Sequence, residues 1–291
     1  MAKKFTIQEF YKTYPNDDVC LDEIFQQRFG DLENCPKCEK QTNFYRVAKK
    51  KCYKCQYCGY DLSPTAGTIF HKSSTSLQNW FFAIYLFANS KNGVSAKELE
   101  RHLGVTYKTA WRMANKIRLL FQDQDQDGEP LDTIVEADET YVGGRKKGKR
   151  GRGADGKTPV IGIVERGGEV KAIVTENTKA ATIEPFIASN VAQGTELMTD
   201  EYRSYSRISL HGYHHQTVNH GAKQYVVGDI HTNTIEGFWS QLKRSINGTY
   251  HSVSPKYLQH YVDEFAYRYN LREAAEHLFH YLIPQVAQPS L

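Results

Sequence analysis

The chain has 291 residues, 40% of them hydrophobic, which is enough for one large domain or two to three small ones with buried cores. Its net charge of +4 permits a polyanionic partner without requiring one. No N-terminal segment resembles a signal peptide, and the longest apolar stretch, residues 77–88, is too short to cross a bilayer. We therefore expect a folded cytoplasmic protein with no membrane association.

The pattern of residues changes along the chain and predicts five segments. A polar, repetitive stretch that ends in Gly-Glu-Pro separates two regions of different character and is typical of a linker. In order, the predicted segments are an N-terminal helical segment (1–29), a cysteine-rich segment (30–70), a helical region (71–121), the linker (122–130) and an α/β domain (131–285).

The cysteine-rich segment has the spacing of a zinc ribbon. Cys35 and Cys38 form one C-x-x-C pair, and Cys55 and Cys58 form a second, with sixteen residues between Cys38 and Cys55. Four thiolates can close a tetrahedral Zn²⁺ site, and metal binding supplies folding free energy to a segment with little core. Cys52 with Cys55 is a competing pair that fits the spacing less well. We predict a structural zinc on the first two pairs, with the remaining two cysteines unligated.

Residues 95–118 predict two short helices joined by a turn. Ser95 and Glu98 are placed as a capping box, Gly104 ends the first helix and Thr106 caps the second. Apolar residues at three- and four-residue steps mark a buried face of the second helix. Its opposite face carries Tyr107, Lys108, Arg112 and Lys116. This pattern is typical of a DNA-reading helix-turn-helix, although many similar hairpins bind no DNA.

Beyond the linker the order of elements predicts an α/β domain with a mixed sheet flanked by helices. The predicted elements are strands at 133–138, 159–164 and 169–174, a helix at 182–191, a strand ending at residue 200 and helices from 232 to about 282. Three antiparallel strands, a helix, another strand and later helices is the order of a ribonuclease H-like domain. In that fold the first and fourth strands are adjacent, so Asp138 and Asp200 would be neighbours.

Three acidic residues stand out in this domain. Asp138 and Asp200 each end an apolar run, and Glu236 lies in a helix-like stretch. Hard divalent cations prefer oxygen ligands, and two of them about 3.5 to 4 Å apart can activate an attacking oxygen and stabilise a leaving one. Glu236 and Lys243 are two helical turns apart and share a face, so the lysine can reach a DNA phosphate. The pattern indicates Mg²⁺- or Mn²⁺-dependent phosphodiester chemistry.

Each acid also has a structural interpretation. An aspartate at a strand end is usually a turn or cap residue. Glu136 and Glu139 compete for the role of Asp138, and the alternation of side chains along a strand argues against both.

Taken together, these motifs resemble the DDE transposases of bacterial insertion sequences, in particular the branch with an N-terminal zinc ribbon and a ribonuclease H-like catalytic core. The resemblance covers roughly residues 30 to 275 and is carried by the two C-x-x-C pairs, Thr65-Ala-Gly-Thr-Ile-Phe70, Lys108-Thr-Ala-Trp-Arg112, Asp138-Glu-Thr-Tyr-Val-Gly-Gly144, Thr199-Asp-Glu-Tyr202, and His231-Thr-Asn-Thr-Ile-Glu-Gly-Phe-Trp239 through Lys243-Arg244.

The resemblance implies an enzyme that binds the terminal inverted repeats of its element, cleaves the DNA there and joins the freed 3′-hydroxyl to target DNA. Asp138 and Asp200 would hold the catalytic cations. The third ligand of this branch is an acid or sometimes an asparagine, so Glu236 and Asn233 are both candidates, and we favour Glu236 for its charge.

The resemblance also implies partners. These are double-stranded DNA, as transposon ends and target, and further copies of the chain, at least a dimer on DNA at the nucleoid. Lys243 and Arg244 would contact DNA. A basic run from residue 145 to 157, which includes Arg145, Lys146 and Lys147, is either a DNA-backbone contact or a loop without a partner.

Two other functions fit the same residues. One is a zinc-ribbon and helix-turn-helix DNA-binding regulator with an inactive catalytic domain, derived from a transposase. The other is a structure-specific nuclease that hydrolyses DNA but does not join it. Five histidines, at positions 211, 214, 215, 220 and 231, suggest phosphate-facing or solvated side chains, with a second zinc site as the alternative.

Overall fold

The computed structural model describes residues 5–48, 50–122, 128–143, 156–219, 226 and 228–287. These residues divide into two units: the first contains the described chain up to Leu120 together with the part from Ala274 onward, and the second runs from Phe121 to Glu273. The division falls at the start of the predicted linker. At the other end it differs from the predicted domain 131–285, because the last helix packs within the first unit.

The first unit contains six helices and a small sheet among its described residues. They are α1 Ile7–Thr13, α2 Asp17–Phe29, β1 Phe44–Arg46, β2 Tyr53–Cys55, β3 Asp61–Leu62, α3 Leu77–Asn89, α4 Ala96–Leu103, α5 Tyr107–Arg118 and α9 Leu278–Gln285. The apolar α3 lies at the centre, with Trp80 and Phe81 fully buried. Phe10 of α1 and Phe279 of α9 pack with their ring centroids 6.0 Å apart. This aromatic core joins the two ends of the chain.

The strands β1, β2 and β3 form an antiparallel sheet that carries the cysteine-rich segment. The loop after β3 is fixed to the helices on both sides. Arg28 of α2 donates to the carbonyls of Pro64 and Ala66, at 2.5 and 2.7 Å. Lys116 of α5 donates to the carbonyl of Ile69 at 3.0 Å. α2 and α5 are therefore both hydrogen-bonded to the loop that follows β3.

The second unit is built on a five-stranded mixed sheet. Its elements are β4 Ile134–Gly143, β5 Lys157–Glu165, β6 Val170–Val174, α6 Ala180–Asn190, β7 Glu196–Asp200, β8 His214–Val218, α7 Asn233–Ser245, a π-helical turn Ile246–Tyr250 and α8 Leu258–Asn270. The strand order is β6-β5-β4-β7-β8. β4, β5 and β6 are antiparallel, whereas β7 pairs in parallel with β4, and β8 in parallel with β7. The predicted α/β class and the adjacency of first and fourth strands are confirmed.

Each face of the large sheet has its own apolar core. On one face Val135 and Ala137 of β4 pack with Ile183 and Ile187 of α6. On the other face Val142 packs with Ile235, Phe238 and Trp239 of α7 and with Val262 of α8. Alternate residues of β4 therefore face opposite layers, and the even-numbered ones face α7. Within the described chain, no helix combines the length and the apolar character that a membrane span needs.

Candidate functional sites: a zinc centre and an acidic site

The four predicted zinc ligands converge. The sulfur atoms of Cys35, Cys38, Cys55 and Cys58, here called the zinc centre, all lie within 4.8 Å of one another. Cys35 and Cys58 are 3.6 Å apart at sulfur, and Cys38 and Cys55 are 3.9 Å apart. Distances of this size are those of neighbouring ligands on a tetrahedral ion with Zn–S bonds near 2.3 Å. The four thiols therefore fit a closed structural zinc site.

The two C-x-x-C turns repeat the same backbone geometry. Each first cysteine accepts a hydrogen bond at its sulfur from the N–H two residues later, Lys37 to Cys35 and Tyr57 to Cys55, both at 3.4 Å. The fifth residue of each turn has positive φ, 59° at Glu39 and 66° at Gly59. N–H groups that point at sulfur stabilise a thiolate, so both turns are shaped to present thiolates to a metal.

The electrostatics of Cys55 agree with this geometry. Burial raises the pKa of Cys55, but hydrogen bonds from the Cys58 backbone, the Thr42 hydroxyl and the Tyr57 backbone outweigh burial and lower it. The remaining cysteines, Cys20 and Cys52, are free thiols outside the cluster. The preference for Cys55 with Cys58 over Cys52 with Cys55 is confirmed.

The acidic site consists of Asp138, Asp200 and Glu236, which three different elements carry. β4 and β7 run in parallel with Ile134 opposite Glu196 and Glu136 opposite Met198. Asp138 and Asp200 each follow the last paired residues by two positions, and a charge interaction links the two carboxylates. Asp138 lies within β4, not at its end as predicted, whereas Asp200 is the last residue of β7. Glu236 is exposed in the first turn of α7.

Charge interactions link the three acids. The pKa of Asp138 is raised from its usual 3.8 to about 7, first by burial and then by three nearby carboxylates, Glu139, Asp200 and Glu236. Only the four cysteines, of all described residues, bring three or more potential ligand atoms within 4.8 Å of each other. The three acids therefore lie near enough to repel one another, but their oxygen atoms are more widely spaced than the four cysteine sulfur atoms. Ligands of a two-cation site need not all lie within 4.8 Å of one another, because two cations about 4 Å apart separate them.

The candidates for the third ligand lie side by side on α7. Glu236 accepts a hydrogen bond from the Thr232 hydroxyl at 3.2 Å. Asn233, one turn earlier, is exposed, and its backbone N–H donates to His231 Nδ1 at 3.4 Å. Asp138 has a charge interaction with Glu236. Both side chains carry an oxygen atom that can bind a cation.

The argument from alternation was wrong for Glu136. Alternation separates Asp138 from Glu139, which faces the other layer and accepts a hydrogen bond from the buried Tyr205 hydroxyl at 3.2 Å. Glu136 is two residues from Asp138 and therefore on the same face. It is fully buried, and its carboxylate binds Arg166 and the first turn of α7. Glu136 and Asp138 point to the same face of β4. Glu136 differs from Asp138 because its carboxylate oxygens are already hydrogen-bonded to Arg166 and to α7.

Close packing brings α7 onto the sheet beside Asp138. Gly162 of β5 is the cross-strand partner of Asp138. A Cβ atom at Gly162 would lie 2.6 Å from the Trp239 ring and 3.3 Å from Ile235. A glycine is therefore required here, because α7 approaches the backbone of β5 more closely than a side chain allows. The sequence analysis did not single out this glycine, although an isolated glycine in an apolar strand is a signal of close approach.

Two lysines lie near the acidic site. Loss of solvation lowers the pKa of Lys243, while Asp138 raises it and Lys157 lowers it further. Lys243 keeps an exposed side chain, and Arg244 beside it is exposed as well. Lys157, the first residue of β5, was not predicted as a site residue. Cations beside a carboxylate cluster suit a phosphate group that has to approach it.

The predicted helix-turn-helix residues lie on α5. Tyr107, Lys108 and Arg112 are exposed, and Trp111 between them is 37% exposed. Lys116 is half-buried, and its bond to the Ile69 carbonyl holds the ammonium group against the loop after β3. Gly104 has the left-handed conformation that ends α4, and the Ser95 and Thr106 hydroxyls cap the two helices. Three of the four predicted side chains are therefore presented to solvent.

Part of the predicted basic run and one of the five predicted histidines lie outside the residues that the structure describes. Arg145, Lys146 and Lys147, and His220 among the histidines, lie outside the described residues. Of the other four histidines, His214 and His215 are neighbours in β8, and three have polar partners: His211 is 3.3 Å from Glu184, His215 is 2.9 Å from the Thr199 hydroxyl, and His231 is 3.0 Å from Glu136. In the part of the chain that the structure describes, they form no metal cluster.

Two family models match this chain. The model for the ISXO2-like transposase domain matches residues 130–270, which include the whole acidic site. The model for the transposase zinc-ribbon domain matches residues 15–61, which include the zinc centre. The chain therefore contains an ISXO2-like transposase domain and, before it, a transposase zinc-ribbon domain. The resemblance inferred from the motifs is thereby confirmed, and the zinc centre is that of a transposase zinc ribbon.

Relatives of this chain include a protein of Halobacterium salinarum described as an uncharacterized protein in transposable element ISH50. It is 28% identical over 88% of this chain and 92% of its own length. An uncharacterized transposase-like protein of Haemophilus influenzae is 26% identical over 36% of this chain and 84% of its own length. The first similarity extends over both matched domains and the helical region between them.

Proposed function

We propose that this transposase binds the terminal inverted repeats of an insertion sequence and catalyses metal-dependent DNA cleavage and strand transfer. The observation that carries the proposal is that Asp138 and Asp200 lie two residues beyond the last paired positions of two parallel strands, and that charge interactions join Asp138 to Asp200 and to Glu236 of α7. Asp200 and Glu236 both raise the pKa of Asp138, and cations shared by the three carboxylates would relieve this repulsion, so their mutual approach favours a metal site.

The strand order β6-β5-β4-β7-β8 supports a ribonuclease H-like assignment for the second unit. In open sheets of this kind, side chains at the carboxyl ends of adjacent parallel strands converge at one edge. β7 brings Asp200 to that edge as its last residue, Asp138 lies near it within β4, and α7 covers the sheet there from one face. This arrangement gives each acid of the site a separate rigid support, as a reactive metal site needs.

Each residue has a distinct task in the proposed reaction. Asp138 and Asp200 would hold Mg²⁺ or Mn²⁺ from the sheet, and Glu236, with Asn233 as the alternative, would complete the ligand set from the helix. When bound, a pair of such cations activates the attacking oxygen and stabilises the leaving one. Lys243 and Lys157 would orient the DNA phosphate through charge–charge contact. Arg244 would contact the backbone beyond the scissile bond.

Recognition of double-stranded DNA is assigned to the first unit. The exposed Tyr107, Lys108 and Arg112 of α5 fit the reading face of a helix-turn-helix, and Lys116 is the least available of the four predicted contacts. Arg145, Lys146 and Lys147 add charge for the DNA backbone. Joining two transposon ends to one target needs more than one active site, so we infer at least a dimer on DNA, at the nucleoid in the cytoplasm.

The test is a cleavage and strand-transfer reaction with Mg²⁺ on duplex DNA that carries the inverted repeats flanking the gene. The wild-type chain should nick the repeat ends and join them to a target plasmid, and Asp138→Asn should do neither while it still binds the repeats. Cleavage without joined products would identify a nuclease instead. Binding without cleavage by either protein would identify an inactive regulator.

A further inference from the structure

Helix α7 is capped by a residue of the sheet instead of by its own N-cap residue. The N-cap residue Thr232 makes no capping hydrogen bond, and its hydroxyl donates to Glu236. The capping acceptor is Glu136 of β4. Its Oε2 accepts from the backbone N–H of Thr234 at 2.7 Å and of Ile235 at 3.0 Å. These are the N–H groups that an N-cap side chain normally satisfies.

The other oxygen of Glu136 is equally occupied. Oε1 accepts from Arg166 Nε at 2.7 Å and from the Thr234 hydroxyl at 2.9 Å. Arg166 also donates to the carbonyls of Asp229 and His231, at 2.8 and 3.0 Å, and so holds the chain that leads into α7. The Glu136 side chain has no exposed surface. A buried carboxylate with four donors is satisfied without a metal ion.

This cap joins two parts of the acidic site. Asp138 follows Glu136 by two residues on the same face of β4, about 7 Å along the strand. Glu236 follows Thr234 by two residues in the first turn of α7. One side chain therefore links the strand that carries Asp138 to the helix turn that carries Glu236. The negative charge of Glu136 also lies at the positive end of the helix dipole, which favours the same placement.

We propose that Glu136 is a positioning residue that holds Glu236 against Asp138 and so sets the affinity of the acidic site for divalent cations. The proposal rests on the function proposed above. Glu136 acts through α7 and is not itself a ligand, since its oxygens are used by Arg166, Thr234 and Ile235. Outer partners that orient metal ligands typically contribute 10- to 100-fold to affinity.

The test measures Mn²⁺ binding to the full, zinc-loaded chain by the loss of the free-ion electron paramagnetic resonance signal. Glu136→Gln keeps the shape but replaces one acceptor oxygen by a donor, so it should weaken Mn²⁺ binding about 10- to 100-fold. The matched control is Glu264→Gln. Glu264 is likewise fully buried in the second unit, but it binds Arg268 on its own helix and Tyr250 beyond the C-terminal end of α7. That control should change Mn²⁺ affinity less than about 2-fold, because it leaves the first turn of α7 intact.

A second readout needs no metal ion. In the absence of Mn²⁺ and Mg²⁺, amide hydrogen exchange of the first turn of α7 should be faster in Glu136→Gln than in wild type, and unchanged in Glu264→Gln. Equal Mn²⁺ affinity in Glu136→Gln and wild type, or equal weakening in both variants, overturns the proposal. So does unchanged exchange in the first turn.

Asp138→Asn separates this proposal from the function on which it rests. If that variant binds Mn²⁺ as wild type does, the acidic site is not the metal site and the proposed function fails. If it loses binding while Glu136→Gln keeps it, only the positioning role fails. Should Glu136→Gln not fold, Thr234→Val removes one donor to Glu136 and should weaken Mn²⁺ binding about 3-fold. No change in Thr234→Val would then overturn the proposal.

Discussion

The zinc centre takes all its ligands from one short stretch between Cys35 and Cys58, whereas the acidic site collects its three acids from two strands and a helix between Asp138 and Glu236. The zinc ligands are fixed by two local turns, and the ion stabilises the segment that binds it. The acids repel one another, so the surrounding fold must hold them together. The zinc centre should therefore lose its metal ion when one ligand is lost. The acidic site should lose its geometry when the residues that position the three acids are changed.

The largest expected effect is on the zinc centre. Cys38→Ser removes one of four ligands, and zinc binding supplies folding free energy on the order of 10 kcal/mol to such segments. We expect zinc content to fall well below one ion per chain and amide exchange to increase in β1 and β2, with β4 to β8 still protected. Cys52→Ser is the control and should keep its zinc. Full zinc content in Cys38→Ser would contradict the four-cysteine site.

The second prediction concerns the third acid. Glu236→Gln should lower the cleavage rate by at least about 100-fold, since a direct ligand should matter more than an outer partner. Asn233→Ala should lower it by less than about 10-fold, because Asn233 then only supports the site. Single-turnover cleavage of a repeat-end duplex measures both. The reverse order of effects would make Asn233 the ligand.

The third prediction tests whether the acids destabilise the fold. The pKa of Asp138 is raised from 3.8 to about 7, so its contribution to stability is complete below pH 4 and is lost as the pH rises to 7. Asn does not titrate. Without Mg²⁺ or Mn²⁺, Asp138→Asn should be more stable than wild type by on the order of 4 kcal/mol at pH 8, and by much less at pH 4.

Urea unfolding at the two pH values measures this difference. Added Mg²⁺ should stabilise the wild type at pH 8 and leave Asp138→Asn unchanged. A difference between the two proteins that does not grow with pH would show that Asp138 does not carry the repulsion.

The smallest predicted effect concerns the approach of α7 to the sheet. Gly162→Ala forces a methyl group against the Trp239 ring, and overpacking of this kind typically costs about 1–3 kcal/mol. Gly237→Ala is a matched control, because a Cβ there meets nothing within 4 Å. In a helix that change should stabilise by roughly 0.5–1 kcal/mol. Thermal unfolding of both variants is the measurement, and equal changes in both would exclude close packing at Gly162 as the cause.

The sequence predicts features that depend on nearby residues better than features that depend on contacts between distant parts of the chain. The zinc spacing, the caps at Ser95 and Thr106 and the strand order up to Asp200 could be predicted, because each depends on residues close in sequence or on a regular alternation. β8 was not predicted, because His214–Val218 is largely polar and its position depends on pairing with β7. The cap on α7 was missed for the same reason: Glu136 and Thr234 meet only in the folded chain.

The metal ligands of the acidic site can be observed directly. A crystal structure of the full chain soaked in Mn²⁺, with anomalous diffraction recorded near the manganese edge, should show manganese bound by oxygens of both Asp138 and Asp200 and by Glu236 from α7. Glu136 should remain bonded to Arg166 and to the first turn of α7. Manganese bound at Glu136 or Glu139, or no manganese between Asp138 and Asp200, would contradict the account.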